Sequence, residues 1–292
     1  MRVRTVSACD LAAISRGDWV DTERRALVRD GVAYVPVKEG EPCDLVIPER
    51  RLYRGRRYQL LGDIVLLHGN RPTKEDVDDI RTWLDPRGIL WVRRITGTER
   101  CPLVEVIYGS IGEVRHREYG CTFSFDPARV MYAMGNLAER HRLVNLVRKD
   151  GAGERVGDLF AGIGYFSIPL AKAGCRVHAM EISPVACGYL ARNSRENGVA
   201  DRVDAECGDC RDLMSGTYDR LILGHFDALS CLPGALAHAK AGSVLHLHTL
   251  RDGAERIRSL ASDAGFDTAI ATRRVKSYAP HTWHIVQDVA LS

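Results

Sequence analysis

Three acidic residues, Asp158, Glu181 and Asp209, stand 23 and 28 residues apart, and the first is followed by Leu-Phe-Ala-Gly-Ile-Gly-Tyr-Phe, with glycines at 162 and 164. Glycines so spaced let a backbone pass close to a ligand. A carboxylate at the end of a strand can accept both hydroxyls of a ribose, and a second can take an exocyclic amino group. Taken singly, each acid also reads as a solvated loop residue, and the glycine pair as a turn. Together, at the ends of successive strands, they describe an adenosine site. A dinucleotide such as NAD is disfavoured, because Ser167 stands where the third glycine of the pyrophosphate-binding G-x-G-x-x-G would be.

Such residues need strands and helices to present them. Alternating apolar runs predict strands at 155–160, 176–180, 203–206, 220–223, 243–248, 268–275 and 283–289, and helices at 165–173, 184–197, 229–239 and 254–264. Repeated βαβ units imply a parallel sheet with helices on both faces, and the last two strands, joined by a loop, imply an antiparallel edge hairpin. The expected fold is therefore α/β: a doubly wound, seven-stranded, Rossmann-like sheet of the class I S-adenosylmethionine-dependent type. Ahead of it, short β-type runs at 44–47, 58–61 and 63–67, a helix over 74–84 capped by Thr73, and strands at 89–94 and 103–108 suggest a small α+β domain. We place the expected boundary between residues 104 and 105, with the catalytic domain over 105–292. A hairpin turning at Tyr119-Gly120 and a helix over 128–149, with a break at Gly135-Asn136, would open that domain.

Composition bounds the rest. With 292 residues, 45% hydrophobic, the chain is long enough for two domains and too apolar for disorder. No run approaches the length of a membrane span, and the N-terminus has no apolar signal core. Nine cysteines, an odd number without an export signal, fit a reduced cytoplasmic compartment. Cys207-Gly-Asp-Cys210 lacks a second ligand pair at zinc spacing, so no metal is expected. The formal net charge is only +3, yet Arg supplies 35 of the 41 basic residues. Five of them crowd into Arg50-Arg-Leu-Tyr-Arg-Gly-Arg-Arg57. Arg54, Arg56 and Arg57 are the candidate nucleic-acid contacts, since Arg forks suit phosphate; a solvated charged face or a GC-rich genome would give the same run.

Several motifs in one order, Met134-Gly-Asn-Leu-Ala-Glu-Arg140, Asp158–Phe166, Gly208-Asp-Cys-Arg211, Leu223-Gly224, Leu245-His-Leu-His248 and Val275-Lys-Ser-Tyr-Ala-Pro-His-Thr-Trp-His284, resemble the archaeal wybutosine-synthesizing protein 2 family. The wider group includes the tRNA guanine-37 N1-methyltransferases. Leu223-Gly224, in place of their Asn-Leu-Pro segment, and Glu rather than Asp at 181 resemble the wybutosine enzyme. The resemblance implies transfer of the 3-amino-3-carboxypropyl group of S-adenosylmethionine to 4-demethylwyosine at position 37, in the anticodon loop of tRNA(Phe), with methylthioadenosine leaving. It implies that Arg140 meets the carboxylate of the methionine arm. It also places Ala133 and Cys210 at the donor site, where the family has Ser and Asn.

His225, ending the fourth strand, is the candidate catalytic residue, as a base or by stacking. Tyr278, Pro280, His281 and Trp283 are candidate walls for a flipped base, and His246 and His248 read as packing against a helix. Guanine-37 N1-methylation and a non-catalytic S-adenosylmethionine-dependent RNA-binding role are the competing readings.

Overall fold

The computed structural model describes residues 1–14, 17–24, 26–29, 31–47, 53, 55–150, 153–279 and 281–292. The chain divides into two compact units, Met1–Arg54 and Gly55–Ser292. In the first, β1 (Arg2–Ser7) leads through a 3-10 turn (Ala8–Asp10) into the single helical turn α1 (Leu11–Ile14), followed by β2 (Leu27–Arg29), β3 (Val32–Pro36) and β4 (Leu45–Val46). The four strands form an antiparallel sheet in the order β2-β3-β1-β4. Val20, Ala33 and Val35 are buried at its centre against Val6, Leu11 and Trp19.

The second unit opens with β5 (Gln59–Leu61), β6 (Ile64–Leu67), α2 (Lys74–Leu84), β7 (Gly88–Thr96) and β8 (Cys101–Gly109), a sheet ordered β5-β6-β7-β8. Helix α2 starts where expected. Thr73 Oγ1 accepts from the amide of Asp76 at 3.1 Å, and Asp76 Oδ2 accepts from the amide of Thr73 at 2.9 Å, closing a reciprocal cap. The helix carries the chain between β6 and β7, which pair in parallel.

The hairpin β9 (Val114–Glu118) and β10 (Cys121–Phe125) turns at Tyr119 and Gly120, whose φ values of 44° and 75° suit a primed two-residue turn. Tyr119 is held there by stacking on His141, with ring centroids 4.5 Å apart. The expected helix over 128–149 forms only from α3 (Leu137–Asp150), preceded by a 3-10 turn at Met134–Asn136. Asp126 closes a turn by accepting the amide of Ala128, and the chain then buries Val130 and Tyr132 two residues apart, a strand-like alternation that a helix cannot satisfy.

From there the strands and helices alternate: β11 (Arg155–Asp158), α4 (Ser167–Lys172), β12 (Arg176–Glu181), α5 (Pro184–Glu196), β13 (Val203–Cys207), α6 (Cys210–Leu213), β14 (Arg220–Leu223), α7 (Ala228–Ala237), β15 (Val244–Thr249), α8 (Ala254–Asp263), β16 (Thr268–Ala279) and β17 (Thr282–Leu291). They build one seven-stranded sheet ordered β13-β12-β11-β14-β15-β17-β16, parallel through β15 with β16 and β17 antiparallel at one edge. This is the expected seven-stranded Rossmann-like fold. Its strand order reverses between β11 and β14, and a crevice opens at such a point beyond the carboxyl ends of the strands.

The boundary expected after residue 104 falls inside β8. The physical reason is a shared core: Leu61, Ile64, Leu66, Leu90 and Val92 of the small sheet are buried in one cluster with Phe123, Phe125, Leu143 and Ile163. The sheet β5–β8 thus belongs to the same compact unit as the seven-stranded sheet, and the division lies near residue 54.

Candidate active site

A cavity of about 500 Å³ opens at the β11/β14 reversal. Its lining includes Gly162, Glu181, Ile182, Asp209, Cys210 and Cys231. Gly162, at φ 58°, turns its amide onto Glu181 Oε2 at 2.7 Å, while Glu181 Oε1 accepts from the amide of Ser183 at 2.9 Å. Each carboxylate oxygen keeps lone pairs for a ligand. Burial raises the Glu181 carboxyl above its ordinary range, against the pull of these amides.

Asp158 and Gly164 build the loop from beneath and are not among the lining residues. Asp158 is fully buried, its Oδ2 accepts from Ser167 Oγ at 2.6 Å, and burial pushes its carboxyl up to about 6. Gly164 sits at φ 101°, and a Cβ there would stand 2.5 Å from Ile168 Cδ1. Asp209 caps α6 and is gripped by its neighbour: Oδ1 accepts from Arg211 N and Nε at 2.9 Å each, and this pairing holds the carboxyl down to about 2. A ligand amino group would share Asp209 with Arg211. Cys210 Sγ lies 3.8 Å from Cys231 Sγ, so the two halves of the Cys207-x-x-Cys210 motif have different neighbours.

The lining also includes Arg100, Ala133, Asn136, Arg140, Lys276 and Tyr278. Arg140 is 2% exposed, which sets it apart from a helix-surface arginine. Its Nε and Nη2 donate to Glu118 Oε1 and Oε2 at 2.8 and 2.7 Å, and its Nη1 donates to Ala133 O at 3.0 Å. Tyr132 Oη also donates to Glu118, at 2.5 Å. Tyr165 Oη, donating to Met131 O, ties the glycine loop to the segment before α3.

His225, also in the lining, is stacked on Phe160 at a centroid distance of 5.2 Å. Burial and the charge of Arg100 hold its imidazole below the ordinary value, and Nδ1 accepts from the amide of Asp227 at 3.1 Å. The ring offers a stacking face, and the bond on Nδ1 leaves Nε2 for a ligand.

Residues 114–276 match the TRM5/TYW2 methyltransferase domain. The chain is 33% identical to the tRNA(Phe) (4-demethylwyosine(37)-C(7)) aminocarboxypropyltransferase of Methanocaldococcus jannaschii over 246 residues, 80% of this chain and 97% of that protein. The chain belongs to the TRM5/TYW2 family. Among solved structures, M. jannaschii TYW2 in complex with AdoMet is 29% identical, with a TM-score of 0.64 over 81% of this chain and 99% of that one. Trm5b from Pyrococcus abyssi, at 24% identity and a TM-score of 0.75, covers 99% of both chains and shares the fold.

Within this TRM5/TYW2 chain, the cavity brings together Ala133, Arg140, Gly162, Glu181, Asp209, Cys210 and His225, all expected from the sequence. Tyr278 lines it too, whereas Trp283 does not; along β17 the inward residue is the buried His284. Pro280 lies outside the described residues. His281 sits in the β16/β17 turn at φ 57°. His246 and His248 also bond within the sheet: His246 Nδ1 reaches Asp288 Oδ1 at 2.5 Å, His248 Nδ1 lies 2.9 Å from His284 Nε2, and the His248 ring packs edge-on against Phe166 at the start of α4.

Of the three arginines expected on nucleic acid, Arg54 lies outside the described residues. Of the two described, Arg56 is engaged locally, its Nη1 on Asp76 Oδ2 at 3.2 Å and its Nη2 on His68 O at 2.7 Å, and Arg57 stands exposed. Among the described residues, a His178, Asp204 and Glu206 group has its candidate ligand atoms within 4.8 Å of one another; it lies on β12 and β13, outside the cavity lining. Sequence reasoning gave no role to Arg100, Asn136 or Lys276. Lys276 was in view within the Val275–His284 motif, but a lysine on a strand says nothing until the topology brings it to a site.

Proposed function

We propose that this chain transfers the 3-amino-3-carboxypropyl group of S-adenosylmethionine to carbon 7 of 4-demethylwyosine at position 37 of tRNA(Phe), acting in the cytoplasm. The carrying observation is the 33% identity to a protein of that name across 97% of its length. The cavity suits the donor: buried Glu181 and the Gly162 turn suit a ribose, Asp209 and the Cys210 segment suit an adenine edge, and the cationic side chains of the lining suit an amino-acid arm.

In the transfer a carbon–carbon bond forms from base carbon 7 to the Cγ of the arm. The S–Cγ bond breaks with its electron pair going to sulfur, and a proton leaves carbon 7. The sulfonium is already a good leaving group, so the protein's work is to decide which of its three carbons faces the base. His225 contributes a stacking face and its Nε2, and the exposed Arg57 is free to meet a phosphate of the tRNA backbone.

The co-product tests this reading. With tRNA carrying 4-demethylwyosine, chromatography should show one methylthioadenosine per modified base. S-adenosylhomocysteine in its place would mean methyl transfer and would overturn the assignment.

A further inference from the structure

We propose that His178, Asp204 and Glu206 form a binding site for one divalent transition ion, of the zinc class, at the edge of the seven-stranded sheet. The three lie outside the cavity lining, so the site stands whatever the cavity binds. Cysteine spacing gives no sign of it, because strand pairing is what brings these residues together. In the parallel pair β12/β13, Asp204 is registered opposite His178 and Glu206 opposite Met180. Residues two apart on a strand point to one face, so both carboxylates of the edge strand β13 flank the imidazole of β12. The candidate ligand atoms all lie within 4.8 Å of one another.

The histidine is what separates this group from a chance cluster of acids. His178 is 5% exposed, and its Nε2 is buried without a hydrogen-bond partner among the described residues. Glu206 Oε1 stands off at 3.6 Å, beyond hydrogen-bond distance. That separation suits an ion between them, since ligand atoms about 2.1 Å from a tetrahedral zinc are about 3.4 Å from one another. Asp204, which is exposed, completes the set by rotating its side chain, and water takes the fourth position.

The other ring nitrogen is held as a metal-bound histidine requires. Nδ1 lies 2.6 Å from Oη of the fully buried Tyr218, and that Oη accepts from the amide of Ser215 at 3.1 Å. With the Nδ1 proton on this bond, the Nε2 lone pair is left for the ion. No lysine or arginine among the described residues pairs with Asp204 or Glu206, so their two charges match one divalent ion. Imidazole together with carboxylate is a donor set for zinc and its neighbours in the first transition row, whereas magnesium and calcium take oxygen. Strand β12 ends in Glu181 and β13 leads into Asp209, so an ion tying the two strands also braces the two cavity carboxylates against each other.

The probe is Co²⁺, which takes the ligands of zinc and reports them in its visible spectrum, titrated into the full, reduced chain. One Co²⁺ per chain should bind, be displaced by Zn²⁺ and show no thiolate charge-transfer band. Asp204→Asn combined with Glu206→Gln should weaken binding by at least about 100-fold, and Tyr218→Phe, which removes the hydroxyl behind His178, by about 10-fold. A wild-type circular dichroism spectrum without metal checks that the variants fold. Zn²⁺ should raise the unfolding midpoint of the wild type and leave that of the double variant in place. A thiolate band that disappears with Cys207→Ser would assign the ion to the cysteines. No binding, or equal affinity in the wild type and the double variant, would reduce His178 and Glu206 to an ordinary ion pair. Each of these results overturns the proposal, and none of them bears on the reading of the cavity.

Discussion

Asp158 carries a carboxyl at 0% exposure that meets the hydroxyl of Ser167 and leaves Oδ1 without a partner among the described residues. Its carboxyl is held up to about 6 from an ordinary 3.8, with burial the largest cause. Because the folded chain then binds this proton more tightly than the unfolded chain, Asp158 contributes most favourably below about pH 4. That contribution is lost as the pH rises through about 6, and amounts to on the order of 3 kcal/mol. Asp158→Asn keeps the acceptor for Ser167 and removes the charge. Urea unfolding between pH 4 and 8 should show the variant gaining on the wild type as pH rises, by up to about that amount; a difference independent of pH would contradict the assignment.

The residue scale also shows what one sequence can disclose. Glu181 and Asp209 were legible because a carboxylate just past a predicted strand has few other reasons to recur. The pairing of Arg140 with Glu118 was not, since the two lie 22 residues apart and meet only when the β9/β10 hairpin folds beside α3.

At the scale of elements, the βαβ portion was legible nearly strand for strand, because four of the seven apolar runs are followed by a helix with its own start and stop. The segment before α3 was misread, since its apolar residues were counted against a helical period when Val130 and Tyr132 alternate as in a strand. Strands β1 to β3 went unread because charged residues interrupt them, as in Arg2-Val-Arg-Thr-Val, where only Val3 is buried. Helix α2 yields a functional prediction. Arg56 bonds to Asp76, which closes the reciprocal cap with Thr73, whereas the adjacent Arg57 is exposed. Arg56→Ala should therefore lower stability by on the order of 1 kcal/mol without changing the salt dependence of tRNA binding. Arg57→Ala should leave the unfolding midpoint in place and reduce the salt slope by about 1. Titrations at several salt concentrations, beside denaturant curves for both variants, would show whether the roles are divided this way.

For the molecule as a whole, a net charge of +3 is compatible with an RNA substrate because the cations are local. Arg100, Arg140 and Lys276 line the cavity, and Arg56 is spent on Asp76 at the start of α2. Every residue lining the cavity belongs to the Gly55–Ser292 unit, in which the sheet β5–β8 shares a core with the Rossmann-like sheet. The proposed donor site therefore lies within that unit.

The most direct measurement of the central claim is a double-label transfer. Transfer RNA bearing 4-demethylwyosine is incubated with the chain and with S-adenosylmethionine labelled either at the arm carboxyl or at the methyl carbon. The account predicts carboxyl label in the tRNA and methyl label only in methylthioadenosine. Methyl label in the tRNA, with carboxyl label left on the nucleoside product, would contradict it.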